Sequence, residues 1–358
     1  MRWVFSLLAG LFVAVVFLEP GGSANQLPLG DCSSESGLVG RSDIVFCEPW
    51  ESPTWWRQGY LRDGRVDRPL PARPEELAYA SLESTGCVSG KCLRLSMKQF
   101  KTTALNLYWP LKNADLRPEK LYLRYYLKLG PTWDNENCRE VNGKPVPENA
   151  GGKFPGLADI RNDGDPAGQC GYGGVSGDGI DCWSHRAYFR DCHSGSTGNQ
   201  ICRTVPGAIT RYGGYVYFPG QERYSGNPAI WDSDPWGQAF GRGGSCATEP
   251  TNLFCPVGRN AGVLVRERWY ALEQFIKMNT PGKADGVIRG WVDGVLAYEK
   301  TNMIFRLPGH HGLHVRQLWL DVYKGGIYGG CRDGEIWLDQ LVLATNAPIG
   351  PIKPPVPR

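Results

Sequence analysis

Residues 119–129 read Glu-Lys-Leu-Tyr-Leu-Arg-Tyr-Tyr-Leu-Lys-Leu. Apolar residues and tyrosine recur at every second position from Leu121 to Leu129, while Arg124 and Lys128 fall between them. Alternation with a period of two residues is typical of a β-strand with one buried and one solvated face. The stretch therefore predicts a long strand whose second face, lined with aromatic and basic side chains, is exposed to water.

Further strands follow the same kind of pattern. Residues 287–292 and 295–298 flank Asp293-Gly294, a dipeptide that favours the type I′ turn of a hairpin. The other predicted strands are 42–49, 93–99, 104–111, 213–218, 263–278, 316–323 and 335–344, with one helical turn near 74–80. The 47 Gly and 27 Pro exclude an all-helical chain. We expect an all-β protein, an antiparallel β-sandwich of jelly-roll (concanavalin A-like) type.

Composition limits the classes of protein that the chain can be. Hydrophobic residues make up 41% of it, enough for a large core and too many for a disordered chain. The formal net charge of +3 does not call for a nucleic-acid partner. No internal repeat or linker is visible, so we expect one domain over 25–347, followed by a Pro-rich tail at 348–358. We expect a monomer.

The N-terminus and the cysteines predict the compartment. An apolar run at 3–18 follows Met1-Arg2, and small residues at Gly22 and Ala24 follow the run. The run is too short to span a bilayer, so residues 1–24 are interpreted as a signal peptide cleaved near Ala24. All 12 cysteines lie after it, and this even number predicts disulfides that pin loops. A secreted or periplasmic protein without a membrane anchor follows.

Three short motifs bring together residue types that can carry chemistry. Lys153 stands in the Gly/Pro-rich sequence Gly-Gly-Lys-Phe-Pro-Gly. Ser-His-Arg places Ser184 and Arg186 two residues apart, and Tyr-Val-Tyr does the same for Tyr215 and Tyr217. On a strand, this spacing points both side chains of a pair to the same side. Together the five residues predict a cationic groove lined with groups that exchange protons.

Such a set suits β-elimination in a uronate polysaccharide. Arg186 fits the group that neutralises the C6 carboxylate, because a guanidinium binds a carboxylate with two parallel hydrogen bonds. A tyrosine base needs a nearby positive charge to favour its phenolate, and Lys153 is one source. The second tyrosine or Lys153 itself then protonates the leaving O4. The residues leave open which group is the base and which the acid.

Other interpretations compete with this one. A glycoside hydrolase needs two carboxylates on one face, and the candidates are the pairs Glu335/Asp339 and Asp285/Asp293. The Asp- and Gly-rich segment at 159–202 is a candidate calcium loop, although the twelve-residue calcium-binding pattern is absent. We predict neither a metal nor a cofactor.

With these motifs the sequence resembles the alginate-lyase-like polysaccharide lyases of family 14 and the related glucuronan lyases. The resemblance covers about residues 121–344 and includes a further stretch at 272–286, which is followed by Trp-Val-Asp-Gly at 291–294. It implies a secreted β-jelly-roll enzyme that cleaves an acidic polysaccharide endolytically with no obligatory metal. It also implies that Lys153, Ser184, Arg186, Tyr215 and Tyr217 line the catalytic cleft, with the lysine, the arginine and both tyrosines catalytic.

The sequence departs from the family pattern in the long, cysteine-bearing intervals between Lys153, Ser184 and Tyr215. If these insertions close the cleft, a non-catalytic carbohydrate-binding protein on the same fold is the alternative. His185 lies between two cleft residues, so alternation predicts that it points into the core. Additional substrate contacts are expected from Gln274, Lys277 and Trp291.

Overall fold

The computed structural model describes residues 38, 40–55, 60–63, 66–69, 75–111, 118–160, 171, 175–191, 206–220, 263–325 and 328–351. The predicted signal peptide, parts of the segment at 159–202 and the tail beyond residue 351 lie outside the described residues. These interpretations therefore stay predictions, as does the domain boundary at residue 347.

Strands dominate the described residues. In chain order they are β1 (Ile44–Glu48), β2 (Tyr60–Asp63), β3 (Val66–Pro69), β4 (Ala80–Glu83), β5 (Cys92–Met97), β6 (Thr103–Pro110), β7 (Lys120–Leu129), β8 (Glu136–Val141), β9 (Lys144–Ala150), β10 (Gly152–Ile160), β11 (Cys182–Asp191), β12 (Ala208–Tyr217), β13 (Val263–Val265), β14 (Trp269–Lys277), β15 (Gly286–Val292), β16 (Val295–Met303), β17 (Gln317–Lys324), β18 (Gly329–Gly330) and β19 (Gly334–Ala344). The expected helical turn is a 3-10 turn at Glu75–Tyr79. No helix in these ranges is both long and apolar enough to cross a lipid bilayer.

The strands form two large sheets and a small one. The back sheet has the order β16-β15-β14-β7-β19-β5-β4, with β1 paired to β19. The front sheet has the order β13-β12-β11-β10-β17-β6-β2-β3, and a small sheet has the order β18-β8-β9. The pairings that position the site are antiparallel. The predicted all-β antiparallel sandwich is confirmed.

One core lies between the two large sheets. Leu123 and Leu127 of β7 in the back sheet and Leu318 and Leu320 of β17 in the front sheet are fully buried in the same apolar cluster. Each strand therefore contributes alternate residues to this core, as the period-two pattern predicts. The remaining residues of each strand point away from it, and the outward face of the front sheet carries the candidate functional residues.

The second face of β7 is not exposed, and this part of the prediction is wrong. Arg124 is fully buried, and the ring of Tyr122 packs on Phe275 with centroids 4.3 Å apart. Two segments far from β7 in the chain cover this face: Leu38 and Ile349 pack in one apolar cluster with Tyr122, and the backbone N–H groups of Ile349 and Gly350 donate to the Glu273 carboxylate. Alternation separates the two faces of a strand but carries no information about a segment that packs on one of them later in the chain.

The Gly/Pro-rich motif that contains Lys153 has a composition typical of a turn or loop, but in the structure it is a strand. It forms the start of β10, and it is preceded by the hairpin of β8 and β9, which the sequence analysis did not predict. A register shift between Phe154 and Gly156 marks a bulge in its pairing with β11. The bulge absorbs the proline that would otherwise interrupt the ladder of hydrogen bonds.

Disulfides pin the loops, as the cysteine count predicts. Cys87 is bonded to Cys92, the first residue of β5, and Cys138 of β8 is bonded to Cys331 beyond β18. Cys47 and Cys182 are also disulfide-bonded, so all six cysteines in the described ranges are oxidised. This state fits an oxidising compartment.

The two described bridges differ greatly in the length of chain that they close, so their removal has unequal effects. Cys138–Cys331 spans 193 residues, and Cys87–Cys92 spans 5. From loop-closure entropy we expect double serine variants to lose about 5 kcal/mol and about 2 kcal/mol of unfolding free energy, respectively. Guanidinium unfolding of the two variants measures the difference. Equal losses would contradict an effect that acts through the unfolded chain.

Candidate functional site

Strand register brings the five predicted cleft residues together on the outer face of the front sheet. Ser184 and Arg186 of β11 lie directly opposite Tyr217 and Tyr215 of β12. Lys153 lies on β10, the neighbouring strand on the other side of β11. The residues that alternate with them on β11 and β12 are buried in the core between the sheets. The five side chains therefore occupy one continuous surface.

The strand β17 adds three side chains that the sequence analysis did not single out. Trp319, Asp321 and Tyr323 alternate with core residues of β17, and Tyr323 lies opposite Lys153. The alternation within predicted strand 316–323 contains this signal, but the pairing of β10 with β17 is not visible in the sequence. These eight residues are called the front-face group: Lys153, Ser184, Arg186, Tyr215, Tyr217, Trp319, Asp321 and Tyr323.

Two glycines of the Gly/Pro-rich motif let the neighbouring strands approach Lys153. A Cβ atom at Gly152 would lie 2.0 Å from the carbonyl oxygen of Tyr323, and one at Gly156 would lie 2.2 Å from that of His185. Both distances are shorter than any non-bonded contact, so a side chain at either position would push β17 or β11 away. The glycines are thus required by close backbone approach on both sides of the lysine.

The Arg186 guanidinium is buried and held from two directions. Its Nη1 donates to a carboxylate oxygen of Asp321 at 2.6 Å, and its Cζ lies 4.0 Å from the ring centroid of Trp319. Arg186 is 5% exposed and Asp321 is 3% exposed. No described residue accepts a hydrogen bond from Arg186 Nε. The edge of the guanidinium formed by Nε and Nη2 is therefore the edge that Asp321 does not use.

Lys153 lies between two phenol rings. Its Nζ is 4.7 Å from the ring centroid of Tyr215 and 4.8 Å from that of Tyr323. Burial and, to a smaller extent, the positive charge of Arg186 together lower the pKa of Lys153 to about 7, although the negative charge of Asp321 opposes the change. Unlike Arg186, Lys153 keeps part of its side chain exposed. It is therefore a partly accessible amine whose neutral and charged forms coexist near pH 7.

The tyrosines of β12 lie in an aromatic cluster beside these cations. The rings of Tyr215 and Tyr217 are 5.2 Å apart, and that of Tyr188 is 5.6 Å from Tyr215. Burial raises the pKa of Tyr215 well above its usual value, and the neighbouring phenols raise it further. Although Arg186 acts in the opposite direction, burial dominates. The surroundings thus favour the neutral phenol of Tyr215 and do not favour a phenolate base.

Ser184 and His185 show the two sides of β11. Ser184 is fully buried, and its hydroxyl donates to the carbonyl oxygen of Gly171, so it holds the backbone beside the front-face group. His185 points to the interior, as predicted, and burial lowers its pKa to about 4. It is neutral at physiological pH.

The structure does not bring the other three predicted substrate contacts to this face. Gln274 lies between the sheets, where its amide donates to the carbonyl oxygen of Pro155 at 3.0 Å. Lys277 is exposed at the end of β14 in the back sheet. Trp291 packs near Tyr122, with ring centroids 6.2 Å apart, on the outer side of that sheet. All three belong to the back sheet, across the core from Lys153.

The carboxylates proposed for a glycosidase are engaged elsewhere. Asp339 accepts hydrogen bonds from the backbone of the loop before β5, and Glu335 pairs with Arg94. Asp293 binds Arg268 beside its turn, and Asp285 binds the Thr280 hydroxyl. These residues lie on the back sheet or in its turns. The front-face group contains one carboxylate, Asp321, and hydrolysis by two carboxylates has no pair there.

In the described part of the segment proposed as a calcium loop, the Asp178 carboxylate binds the backbone of the segment itself. Asp178 accepts hydrogen bonds from three successive backbone N–H groups through one carboxylate oxygen. Residues 162–165, the other part of the proposed calcium loop, lie outside the described residues. Among the described residues, one grouping has the spacing of metal ligands, Cys87, Cys92 and Asp339, and its two sulfur atoms are bonded to each other.

Comparison with known proteins gives structural likeness at low sequence identity. No family model and no curated protein sequence matches the chain. Similar solved structures include the marine PL-14 alginate lyase from Aplysia kurodai, which is 17% identical with a TM-score of 0.48, covering 75% of this chain and 88% of that one. Alginate lyase vAL-1 from Chlorella virus is 14% identical with a TM-score of 0.47, covering 75% and 90%. Endo-β-1,4-glucuronan lyase from the fungus Trichoderma reesei is 12% identical with a TM-score of 0.40, covering 75% and 87%.

Alginate and glucuronan lyases, the families that the sequence motifs resemble, are thus among the similar structures. At these identities, the chemistry of the chain has to be inferred from its own residues.

Direct titration tests the environment of Lys153. In protein labelled with [13C]lysine, we expect one Cε resonance to titrate with a midpoint of about 7, because burial and Arg186 disfavour the ammonium form. Loss of that resonance in Lys153→Met assigns it. If every lysine titrates near the ordinary value of about 10.4, the site does not hold a neutral amine.

Proposed function

We propose that this chain is a secreted polysaccharide lyase that cleaves a uronic-acid polymer by β-elimination. The observation that carries the proposal is that two different groups lie on neighbouring strands. One is the buried Arg186 guanidinium, whose Nε has no described acceptor, and the other is the Lys153 amine, whose pKa is lowered. Arg186 supplies a receptor for a carboxylate, and Lys153 supplies a base beside it. β-Elimination in a uronate needs both groups at adjacent carbons of one sugar.

Recognition begins at the C6 carboxylate of the substrate. Asp321 holds Nη1 of Arg186 and no described residue accepts from Nε, so we assign the Nε–Nη2 edge, which matches the two oxygens of a carboxylate, to the substrate. The positive charge of Arg186, bound to this carboxylate, lowers the energy of the carbanion that forms when C5 loses its proton. A neutral sugar lacks the group that this edge binds, so the proposed substrate class is acidic.

Lys153 is the proposed base. With a pKa of about 7, a large fraction of its amine is neutral in neutral solution and accepts a proton from C5. The electron pair of the C5–H bond forms the C4=C5 double bond, and the C4–O4 bond breaks. Among the groups of this face, Lys153 combines partial exposure with a pKa close to the working pH.

A tyrosine hydroxyl is the proposed acid. Tyr215 keeps its proton because burial raises its pKa, and its ring contacts the Lys153 amine. It donates that proton to the departing O4, and transfer from the Lys153 ammonium to the resulting phenolate restores both groups. Tyr217 packs against Tyr215 and is placed to orient it or to share this role. The reaction so written needs no cofactor.

The alternative is a carbohydrate-binding protein on the same fold. The observation in its favour is burial, because Ser184, Tyr215 and Tyr217 are at most 3% exposed. A face that is covered in this way binds a sugar chain only where Lys153 and Tyr323 reach the surface. Binding without product formation distinguishes this alternative from the lyase.

Activity assays on a panel of polyuronates test the proposed chemistry. The oxidised protein is incubated with alginate, glucuronan, pectate and hyaluronan while the ultraviolet absorbance of the conjugated C4=C5 double bond is followed. We expect a rise with at least one polymer, and a loss of about 10²–10⁴-fold in kcat for Lys153→Met and Tyr215→Phe, because each removes a proton-transfer group.

Matched controls for these variants are Lys283→Met, an exposed turn lysine, and Tyr122→Phe, a phenol on the outer side of the back sheet. We expect both to retain the wild-type rate. Absorbance that stays flat across the panel while folded protein still binds a polymer would support the binding protein and overturn the lyase.

The pH dependence tests the assignment of base and acid. We expect kcat/KM to rise as the pH increases through about 7, because Lys153 must lose its proton to act as a base. The rate should hold until the pH approaches the raised pKa of Tyr215, which must keep its proton to act as an acid. A profile that begins to rise only near pH 10 would point instead to a tyrosine phenolate as the base.

A further inference from the structure

We propose that Asp321 is the positioning residue of this site: its carboxylate orients the Arg186 guanidinium toward substrate and offsets the charge of that guanidinium at the Lys153 amine. The catalytic part of this inference rests on the proposed function, whereas the electrostatic part is a property of the folded chain. Asp321 belongs to none of the sequence motifs that indicated the site.

Two contacts hold the Arg186 guanidinium: one restricts its movement within its own plane and the other restricts movement out of that plane. The Nη1–Asp321 hydrogen bond lies along one edge, and the Trp319 ring covers one face at 4.0 Å. Rotation about the last side-chain bonds would break the first contact and tilt the guanidinium against the second. Because both charged groups are about 95% buried or more, leaving either unpaired would be strongly unfavourable. Asp321 therefore determines which edge of Arg186 is presented.

Among the described residues, few charges surround Lys153. The charged or titratable side chains that face this group are Arg186 and Tyr188 of β11, Asp321 and Tyr323 of β17, Tyr215 and Tyr217 of β12, and Tyr108 of β6, which lies beyond β17 against Trp319. Burial raises the pKa of Tyr215 and of Tyr323, so these two phenols are uncharged near pH 7. Arg186 lowers the pKa of Lys153, and Asp321 raises it. These two opposite charges set the balance of Coulomb interactions at the amine.

Replacement of Asp321 by asparagine separates charge from shape. Asparagine has nearly the same size and keeps an oxygen that accepts from Nη1, but it removes the negative charge. With Arg186 unopposed, the ammonium form of Lys153 becomes less favourable and its pKa falls. Asp321→Glu keeps the charge and should keep the wild-type titration. A merely structural role for Asp321 predicts lower stability with no change in the titration of Lys153.

The experiment measures the Lys153 Cε titration in wild type, Asp321→Asn and Asp321→Glu by NMR. We expect the midpoint in Asp321→Asn to fall by roughly half a pH unit or more, and the acidic limb of kcat/KM to move with it. The matched control is Glu273→Gln, which neutralises a buried carboxylate on the back sheet that binds backbone N–H groups. It should lower stability without moving the midpoint.

The outcomes separate this inference from the proposed function. An unchanged Lys153 midpoint in folded Asp321→Asn overturns the inference, even if wild type forms unsaturated product. A lowered midpoint together with no product from wild type on any polyuronate supports the role of Asp321 and overturns the lyase. If Asp321→Asn does not fold, Asp321→Ser also removes the charge and carries the same expectation.

Discussion

Burial of one face of each strand in a single core between two sheets is the constraint on which the site depends. Once Leu318, Leu320 and Val322 are in the core, Trp319, Asp321 and Tyr323 must point outward. The same holds for Ser184 and Arg186 on β11 and for the tyrosines of β12. The front-face group is therefore assembled by strand register.

Burial gives this group its chemistry. An exposed lysine is an ammonium ion and an exposed arginine binds water, whereas here the phenol rings and strands around them withdraw both from solvent. The amine responds by releasing its proton near neutral pH, and the guanidinium responds by pairing with Asp321. In the proposed function, this amine is the base and this guanidinium is the receptor for the substrate carboxylate, the combination that removal of a proton beside a carboxylate requires.

Local patterns predicted most strands and showed which site residues share a strand face. They did not predict the features that depend on contacts between residues distant in sequence. The predicted strand 263–278 is two strands, β13 in the front sheet and β14 in the back sheet, and the pairing of β14 with β7 places Gln274 between the sheets. The Gly/Pro-rich motif has the composition of a loop, yet it is a strand because β11 and β17 approach its glycines closely. Asp321 is distant in sequence from Arg186, and β17 and β11 meet only through β10.

The most direct test of the central claim is a crystal structure of Lys153→Met with a uronate tetrasaccharide bound. We expect one C6 carboxylate on the Nε–Nη2 edge of Arg186, with C5 of the same sugar facing residue 153 and its O4 facing the Tyr215 hydroxyl. A tetrasaccharide bound elsewhere, or bound here with no carboxylate on Arg186, would contradict the claim that the buried arginine and the neutral lysine form one elimination site.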